Sequence, residues 1–512
     1  MSQFVGSTDH RLFADWNTWI SEPNHIWSAE AKVLAARGLS LVSNDPFAAA
    51  MVSAKLRETH GPTGMVLRST YSEKDVIQTT TEERNQRRAI EASIRHASAG
   101  RQIDASGGLT RVELERALDW TATIMGDCFA VRLWRPERRN AYQATCWRLV
   151  MPNRVSNPSQ AVNNLTIQDG IEFNLAGEAT AIYVEKTQIG SYGTINITGW
   201  DRIPMVADDG SRNVIHRVGM RVPGMVRGIS MFAPALLLMR QIQGTVEAHV
   251  AGKRAQAIHP IIYFTEDEEE LKASITAKAR LGQNAVLGPM SVLVAKYGAS
   301  DVKFMTSSFQ GADLRDFLTT MYRSLSAMWG LPWQVVLCEM GEASLASARA
   351  GLDQNDRTCQ GYQEDHQAQV SRVMDEAIIR EEVARDRLTF GTDDWTDIMA
   401  GRYSRPPKYS TDRQKDSVTI KNLIETGVSP TTAFAMFGLD YEDEAEQTAR
   451  DIEFAEGQGL PDPTAKPVPG GQAPFGAPMA IPPTGEDKPA DAQETDLEAD
   501  EKPAEHQAGV ES

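Results

Sequence analysis

A long stripe of apolar residues in the middle of the chain indicates an amphipathic helix. Over residues 231–257 these side chains recur every three or four positions, which places them on one helical face. Ser230 precedes the stripe and is positioned to cap the helix, and Pro234 is tolerated within its first turn. The members of the stripe are Met231, Ala235, Leu236, Met239, Ile242, Val246 and Val250.

A second stripe, over residues 313–329, predicts another amphipathic helix. Gly330 and Pro332 predict its end, because glycine favours the C-terminal cap and proline cannot continue a helix. A short loop at 338–344 follows, and then a long, mostly polar helix is predicted over about 345–388.

The segment between the two stripes, residues 258–308, has the pattern of a compact β-α-β unit. Thr265 and Glu268 have the spacing of a capping box, so a helix is expected to begin there. The predicted strands are 258–264, 292–296 and 302–305.

The rest of the chain divides into helical and β-rich regions. Helices are predicted in residues 1–66, at 82–96 and at 110–125, the last with a capping box formed by Thr110 and Glu113. Short β-rich segments separated by turn residues predict an antiparallel region at 128–222. Residues 404–459 are again predicted to be helical, with Ser429 and Pro430 as a helix start and Gly438 as a stop.

The composition is that of a globular protein of the α+β class. The chain has 512 residues, of which 41% are hydrophobic and 24% charged, so about two to four domains are expected. No apolar run approaches the roughly 18 residues of a membrane span, and the first residues lack the pattern of a signal peptide. We therefore expect the chain to work in the cytoplasm of the cell that makes it, without a membrane partner.

The negative charge is concentrated in the C-terminal tail. The net charge is −17, and residues 461–512 hold 11 acidic and 3 basic side chains, which leaves −9 for the other 460 residues. The tail also holds 10 of the 25 prolines and few large apolar side chains, so it is predicted to be disordered. An acidic chain argues against tight binding of DNA phosphates in general.

Motifs that carry catalysis are missing from the sequence. It contains no phosphate-binding Gly-x-x-x-x-Gly-Lys-Ser/Thr loop, no Gly-x-Gly-x-x-Gly loop and no His-Glu-x-x-His zinc motif. The nine histidines are dispersed, and the acidic group of Asp393, Asp394 and Asp397 is interpreted as an exposed turn rather than a metal site. We therefore predict no catalytic site, no metal and no cofactor. The four scattered cysteines (Cys128, Cys146, Cys338 and Cys359) are expected to be reduced and mostly buried.

Two segments resemble the portal proteins of lambda-type tailed phages. The first is an Arg-x-Pro-Gly-x-x-Arg-Gly segment followed by an Ala-Pro helix start, and the second is a Gly-Leu-Pro segment followed by Ser-x-Arg-Ala-Gly-Leu. The matching residues are Arg221, Pro223, Gly224, Arg227, Gly228, Pro234, Gly330, Pro332, Arg349 and Gly351. Weaker matches, including Gly126-Asp127 and Asp169 to Glu172, occur in the same order as in the family.

The resemblance implies a portal fold and an assignment of its parts. Residues 1–228 are expected to form an N-terminal arm and wing, 229–257 and 309–330 the two stem helices, and 258–308 the clip. A tunnel loop is expected at 331–347, followed by a long helix that returns to the wing at 348–403, a helical crown at 404–460 and the disordered tail at 461–512.

The resemblance also implies partners and surfaces. It implies a homo-oligomeric ring, usually of twelve subunits, at one vertex of the virion capsid, assembled in the host cytoplasm. Double-stranded DNA passes through the ring, which contacts the terminase large subunit, head-completion or adaptor proteins, and the major capsid and scaffold proteins. The DNA-facing residues are expected to be Glu339, Met340, Gly341, Glu342, Ala343 and Ser344, and the docking surface of the clip Glu266, Asp267, Glu269 and Glu270.

Two other classes remain as alternatives at this point. Another phage head or head-tail structural protein has similar composition, although most adaptors are shorter. A divergent nuclease or packaging ATPase is disfavoured by the missing phosphate-binding loop.

Overall fold

The computed structural model has two units, residues 1–411 and 412–512. It combines helices and sheets, which confirms the α+β class. The described residues are 23–71, 81–138, 141–189, 195–221, 223–257, 261–265, 292–296, 311–339, 345–391, 394–404, 413–437, 439 and 441–460. Within these ranges, no helix is both long and apolar enough to cross a membrane.

The N-terminal part is helical, as predicted for the residues that are described. The helices are α1 (Pro23–Asn44), α2 (Pro46–His60), α3 (Thr81–Ser98) and α4 (Arg111–Met125). The Asp45 side chain accepts a hydrogen bond from the Ala48 amide and caps α2. The predicted capping box of Thr110 and Glu113 is present at the start of α4.

Two antiparallel sheets form the predicted β-rich region. Strands β2 (Asp127–Trp134), β3 (Thr145–Val150) and β8 (Val214–Val218) form one sheet in the order β3-β2-β8. Strands β4 (Ile167–Gln168), β5 (Ile171–Phe173), β6 (Ala179–Ile189) and β7 (Ile195–Pro204) form a meander. Side chains of both sheets, including Phe129, Val131, Ile182 and Val184, share one apolar core.

The first long amphipathic helix begins later than predicted. Residues Ala233–Ala235 form a 3-10 turn, and helix α5 runs over Leu236–Ala257. The Ser230 hydroxyl oxygen accepts from the Phe232 amide at 3.2 Å and so closes a tight turn instead of capping the helix. The predicted start at residue 231 is therefore wrong, because the 3-10 turn containing Pro234 comes first.

Two of the predicted strands are present among the described residues, the one at 292–296 and one that overlaps the prediction at 258–264. Strand β9 (Ile261–Thr265) pairs in parallel with β10 (Val292–Lys296). Parallel neighbours require a crossover connection, as a β-α-β unit provides. The helix predicted from Thr265 and the strand predicted at 302–305 lie outside the described residues.

The second amphipathic helix, α6 (Gly311–Met328), agrees with the prediction and ends before Gly330, whose φ is +68°. A short helix, α7 (Trp333–Leu337), follows Pro332 directly and lies before the loop predicted at 338–344, within the region 331–347 expected to form the tunnel loop. Proline has a fixed φ that suits a helix start, and this signal was overlooked.

The long helix predicted over 345–388 consists of three segments. Helix α8 (Leu345–His366) continues through a π-helical turn, Gln367–Ser371, into α9 (Arg372–Ala384). The helix is mostly polar, as predicted, but the apolar side chains of its second half lie in the largest core cluster of the described residues. Those side chains are Val370, Met374, Ala377, Ile378 and Ile379.

The chain then returns to its N-terminal part. After the short helix α10 (Trp395–Ile398), strand β11 (Gly401–Ser404) pairs antiparallel with β1 (Val66–Ser69). The Asp394 side chain accepts from the Thr396 amide and caps α10, which supports a turn at this acidic group.

The described residues of the second unit are mainly helical, as predicted for 404–459. It contains α11 (Arg413–Glu425), α12 (Pro430–Ala435) and α13 (Tyr441–Gln458). The Ser429 side chain caps α12 and Pro430 takes the first helical position, which confirms the predicted start. Gly438 and residues 461–512 lie outside the described residues.

Candidate functional site

Arg227, from the first recognised segment, is the centre of a buried hydrogen-bond network. Its guanidinium donates to both carboxylate oxygens of Asp127, at 2.5 and 3.0 Å. It also donates to the carbonyl oxygens of Pro152, Val155 and Asp169, at 2.9–3.2 Å. Only 2% of its side chain is exposed. Arg227 thus ties β2 to the loops around the meander and is not available to DNA.

The glycine after Arg227 allows two backbones to touch. A Cβ atom at Gly228 would lie 2.1 Å from the Gly126 carbonyl oxygen, and one at Gly126 would lie 2.5 Å from the Gly228 carbonyl oxygen. Gly126 also has a φ of +105°, which favours glycine. Gly126-Asp127 and Arg227-Gly228, two separately recognised segments, therefore form one contact: their glycines abut and their charged residues pair.

His216 extends this network. Its Nε2 lies 3.0 Å from Asp127 Oδ2, and its ring stacks on Phe129 with a centroid separation of 4.3 Å. Burial lowers the pKa of His216 and favours the neutral ring. Burial opposes ionisation of Asp127, but Arg227 and His216 hold the pKa of that carboxyl well below its usual range.

A second buried centre surrounds Asp119 on α4. Arg217 of β8 donates to Asp119 Oδ1 at 2.5 Å, and His60 Nε2 lies 2.8 Å from Oδ2. His366 Nδ1 lies 3.1 Å from the same Oδ2. Arg217 also reaches Asp365 on α8. One carboxylate thus joins α2, α4, β8 and α8.

Glu115, one turn earlier on α4, continues the cluster. It accepts from Arg111 Nε at 3.0 Å and lies 3.7 Å from His366 Nε2. Arg111 also pairs with Asp375 of α9, which accepts from the Tyr403 hydroxyl at 2.8 Å. Burial opposes ionisation of Glu115, but Arg111 and His366 lower its pKa to about 2.

The two histidines of this cluster have opposite shifts. Burial lowers the pKa of His60. Burial acts the same way on His366, but Asp119 and Glu115 outweigh it and raise the pKa of His366. His60, Glu115 and His366 are all buried, and each offers a ligand atom within 4.8 Å of the others, so these residues could hold a metal ion.

The ends of the two long amphipathic helices meet in one apolar cluster. Phe232, just before α5, packs on Trp329, just after α6, with ring centroids 4.8 Å apart. The Trp329 indole donates to the Met231 carbonyl oxygen at 3.3 Å, and the Tyr362 hydroxyl donates to the Trp329 carbonyl oxygen at 2.8 Å. This junction joins α5, α6 and α8.

The base of the predicted DNA-facing loop is held against α2. Arg57 donates to the Val335 carbonyl oxygen at 3.1 Å, and Gln363 donates to the Glu58 carbonyl oxygen at 3.0 Å. Glu339 is exposed directly after α7. The other predicted loop residues (Met340, Gly341, Glu342, Ala343 and Ser344) and the predicted clip surface (Glu266, Asp267, Glu269 and Glu270) lie outside the described residues.

The remaining motif residues have backbone roles or lie at the surface. Gly330 supplies a positive φ beside Thr358, and Pro332 precedes α7. Gly224 also has a positive φ, of 90°. Arg221, Pro223 and Pro234 are exposed, Gly351 is half-buried within α8, and the side chain of Arg349 is not described.

Sequence reasoning missed the Asp119 cluster. His60 and His366 are 306 positions apart, and each was interpreted as an isolated histidine. The signal that could have found the cluster is the row Arg111, Glu115 and Asp119, a charged stripe at four-residue spacing on a helix with many apolar residues. Of the cysteines, Cys128, Cys146 and Cys359 are buried and Cys338 is exposed, and all are free thiols.

The comparison with protein families identifies the chain. Residues 9–363 match the family model "Phage portal protein, lambda family". The chain belongs to the lambda family of phage portal proteins. It is also similar to portal protein B of Escherichia phage lambda, with 23% identity over 376 residues, covering 66% of this chain and 68% of that protein.

Solved structures of gene transfer agent particles share a weaker likeness. One, from the virion of a native particle, has a TM-score of 0.44 at 12% identity and covers 80% of this chain and 93% of its own. Another, from the neck of an empty particle, has a TM-score of 0.42 at 13% identity and covers 78% and 93%. Membership of the family makes this chain a portal protein, a structural component of a phage virion.

Proposed function

We propose that this portal protein forms a ring, of twelve subunits as is usual for the family, that conducts double-stranded DNA during packaging and ejection. The ring occupies one capsid vertex, among the major capsid and scaffold proteins. It docks the terminase large subunit during packaging and head-completion or adaptor proteins afterwards. Assembly takes place in the host cytoplasm.

The junction of α5 and α6 is the observation that carries this proposal. Helix α5 begins and helix α6 ends at one cluster around Phe232 and Trp329, and the segment between the two helices contains the parallel pair β9 and β10. A stem that projects from the ring body and carries a clip at its far end requires this arrangement. We therefore assign 229–257 and 309–330 to the stem and 258–308 to the clip.

The other parts follow the same assignment. Residues 1–228 form the arm and wing, 331–347 the tunnel loop and 348–403 the long helix and wing return. Residues 404–460 form the crown, and 461–512 form the acidic tail.

Exposed apolar side chains on the proposed stem support contacts between subunits. Leu237 on α5 is 73% exposed, and Val250 on α5 and Phe317 on α6 are each 40% exposed. In the proposed ring these side chains are available to contact a neighbouring subunit.

The test is the assembly state of the purified full chain. We expect negative-stain images of rings with a central hole, and a native mass of about twelve subunits. A chain that stays monomeric at micromolar concentration, or forms particles without a hole, contradicts the proposal.

Charge reversal in the tunnel loop tests the DNA path. We expect the double variant Glu339→Lys and Glu342→Lys to reduce DNA packaging strongly, because a basic constriction would hold phosphates that the acidic loop repels. Glu30→Lys, an exposed change on α1 outside the proposed stem and tunnel loop, is the control for a general loss of negative charge. Rings should form normally in all cases, and normal packaging by the double variant argues against this loop as the DNA contact.

A further inference from the structure

The histidine pair of the Asp119 cluster has ring nitrogens without satisfactory hydrogen bonds. His60 and His366 are both 0% exposed, and their rings meet edge to face with centroids 4.5 Å apart. Among the described residues, His60 Nδ1 and both ring nitrogens of His366 have no hydrogen-bond partner. Buried polar atoms are seldom left in this state, because they have lost their hydration without replacement.

The nearby carboxylates do not supply the missing hydrogen bonds. His366 Nδ1 lies 3.1 Å from Asp119 Oδ2, and His366 Nε2 lies 3.7 Å from Glu115 Oε2. A protonated His366 would need an N–H aligned with an oxygen on each side, and neither contact forms such a bond. The ring nitrogens of His366 are close to these carboxylates but are not aligned with them for hydrogen bonding. We interpret this as side chains arranged around a common point rather than paired with one another.

The charge of the cluster leaves room for a cation. Four carboxylates, on Glu115, Asp119, Asp365 and Asp375, face three basic side chains. The basic side chains are Arg111, Arg217 and Lys55. Burial lowers the pKa of Lys55 and raises the pKa of Asp375, so it favours the neutral form of each. The cluster therefore carries a net charge of −1 whether these two groups are both charged or both neutral, before any charge on the histidines.

We propose that His60, Glu115 and His366 bind one zinc ion. Two imidazoles and a carboxylate are a common ligand set for zinc, and each of these residues offers an atom within 4.8 Å of the others. Tetrahedral zinc with bonds of about 2.1 Å places its ligands about 3.4 Å apart. The 3.7 Å between His366 Nε2 and Glu115 Oε2 is already close to that spacing.

Asp119 supplies the second shell of this site. Histidines that bind metals usually donate their other ring N–H to a carboxylate, which orients the ring. Asp119 Oδ2 is hydrogen-bonded to His60 Nε2 at 2.8 Å, and Arg217 anchors the other oxygen of Asp119. His366 Nδ1 lies 3.1 Å from Oδ2, and metal binding would turn the His366 ring so that this contact becomes a second hydrogen bond. The ion joins the end of α2, the middle of α4 and the end of α8, and so fixes the helix that leads to the tunnel loop.

The experiment measures metal in the intact assembly. Full-length protein, purified without chelators, is analysed by elemental mass spectrometry, and we expect about one zinc per subunit. Removal with EDTA should lower Tm by a few degrees, and added zinc chloride should restore it. Cobalt added to the stripped protein should produce visible absorption typical of a tetrahedral site.

Substitutions of the proposed histidine ligands test where the ion binds. His366→Gln and His60→Gln should each reduce the zinc content at least tenfold, while His96→Gln, an exposed histidine on α3, should retain it. If the two variants do not fold, the cobalt spectrum of the wild-type protein decides alone. The proposal is overturned if wild-type protein holds less than about 0.1 zinc per subunit and neither zinc nor cobalt changes its Tm or spectrum. That result leaves the ring proposal untouched, because ring formation is measured independently.

Discussion

Replacing Arg227 with methionine is expected to lower the free energy of unfolding by about 3–5 kcal/mol. The substitution keeps much of the side-chain volume but leaves Asp127 as a buried carboxylate without its guanidinium. Three carbonyl oxygens, on Pro152, Val155 and Asp169, also lose a donor. Chemical denaturation monitored by circular dichroism measures the change, and the yield of soluble protein should fall.

A surface arginine is the matched control for this prediction. Arg202 donates to both oxygens of Glu172, at 2.8 and 2.9 Å, but its side chain is 49% exposed. Arg202→Met should cost less than about 1 kcal/mol, because water replaces an exposed partner. A similar loss of unfolding free energy in the two variants would contradict the view that Arg227 stabilises the protein because it is buried.

Gly228→Ala is expected to destabilise the protein by about 3 kcal/mol or more. The new methyl group would lie 2.1 Å from the Gly126 carbonyl oxygen, and 2.8 Å from its carbonyl carbon. Both atoms belong to the backbone at the junction of α4 and β2, so a rotamer change cannot relieve the overlap. A thermal melt of the purified variant, or its failure to accumulate in soluble form, measures the effect.

A helical glycine provides the control. Gly361 lies exposed within α8, and a Cβ atom there meets nothing within 4 Å. Gly361→Ala should leave stability unchanged or raise it by about 0.5–1 kcal/mol, since alanine is the better helix former. A mild effect of Gly228→Ala, comparable to that of Gly361→Ala, would show that the two backbone segments can move apart at this point.

Features set by neighbouring residues were predictable from the sequence. The caps at Thr110 and Ser429 each act over three positions, and both form as predicted. The amphipathic stripe of α6 was equally clear, because its period repeats over several turns. Both signals need no knowledge of the rest of the chain.

Features that depend on distant partners were not predictable. Gly126-Asp127 and Arg227-Gly228 were recognised separately, but periodicity does not show that they touch across 100 positions. For the same reason, the sequence did not show that His60 and His366 are in contact. The start of α5 was misplaced for a different reason, because the 3-10 turn after Ser230 depends on the packing of Phe232 against Trp329.

The π-helical turn at Gln367–Ser371 restricts how the length of the long helix can evolve. A π-helical turn holds about one residue more than an α-helical turn, so losing one residue within it would restore a regular α-turn and leave α8 and α9 with their present faces. A deletion elsewhere would turn α8 by about 100° relative to α9, so Asn355, Cys359 and Gln363 would rotate away from α2 while Met374 and Ile378 stayed in the core. Relatives that keep both contacts should therefore place any single-residue deletion between Cys359 and Ile378 inside this turn, although whole turns could be gained nearer to the tunnel loop.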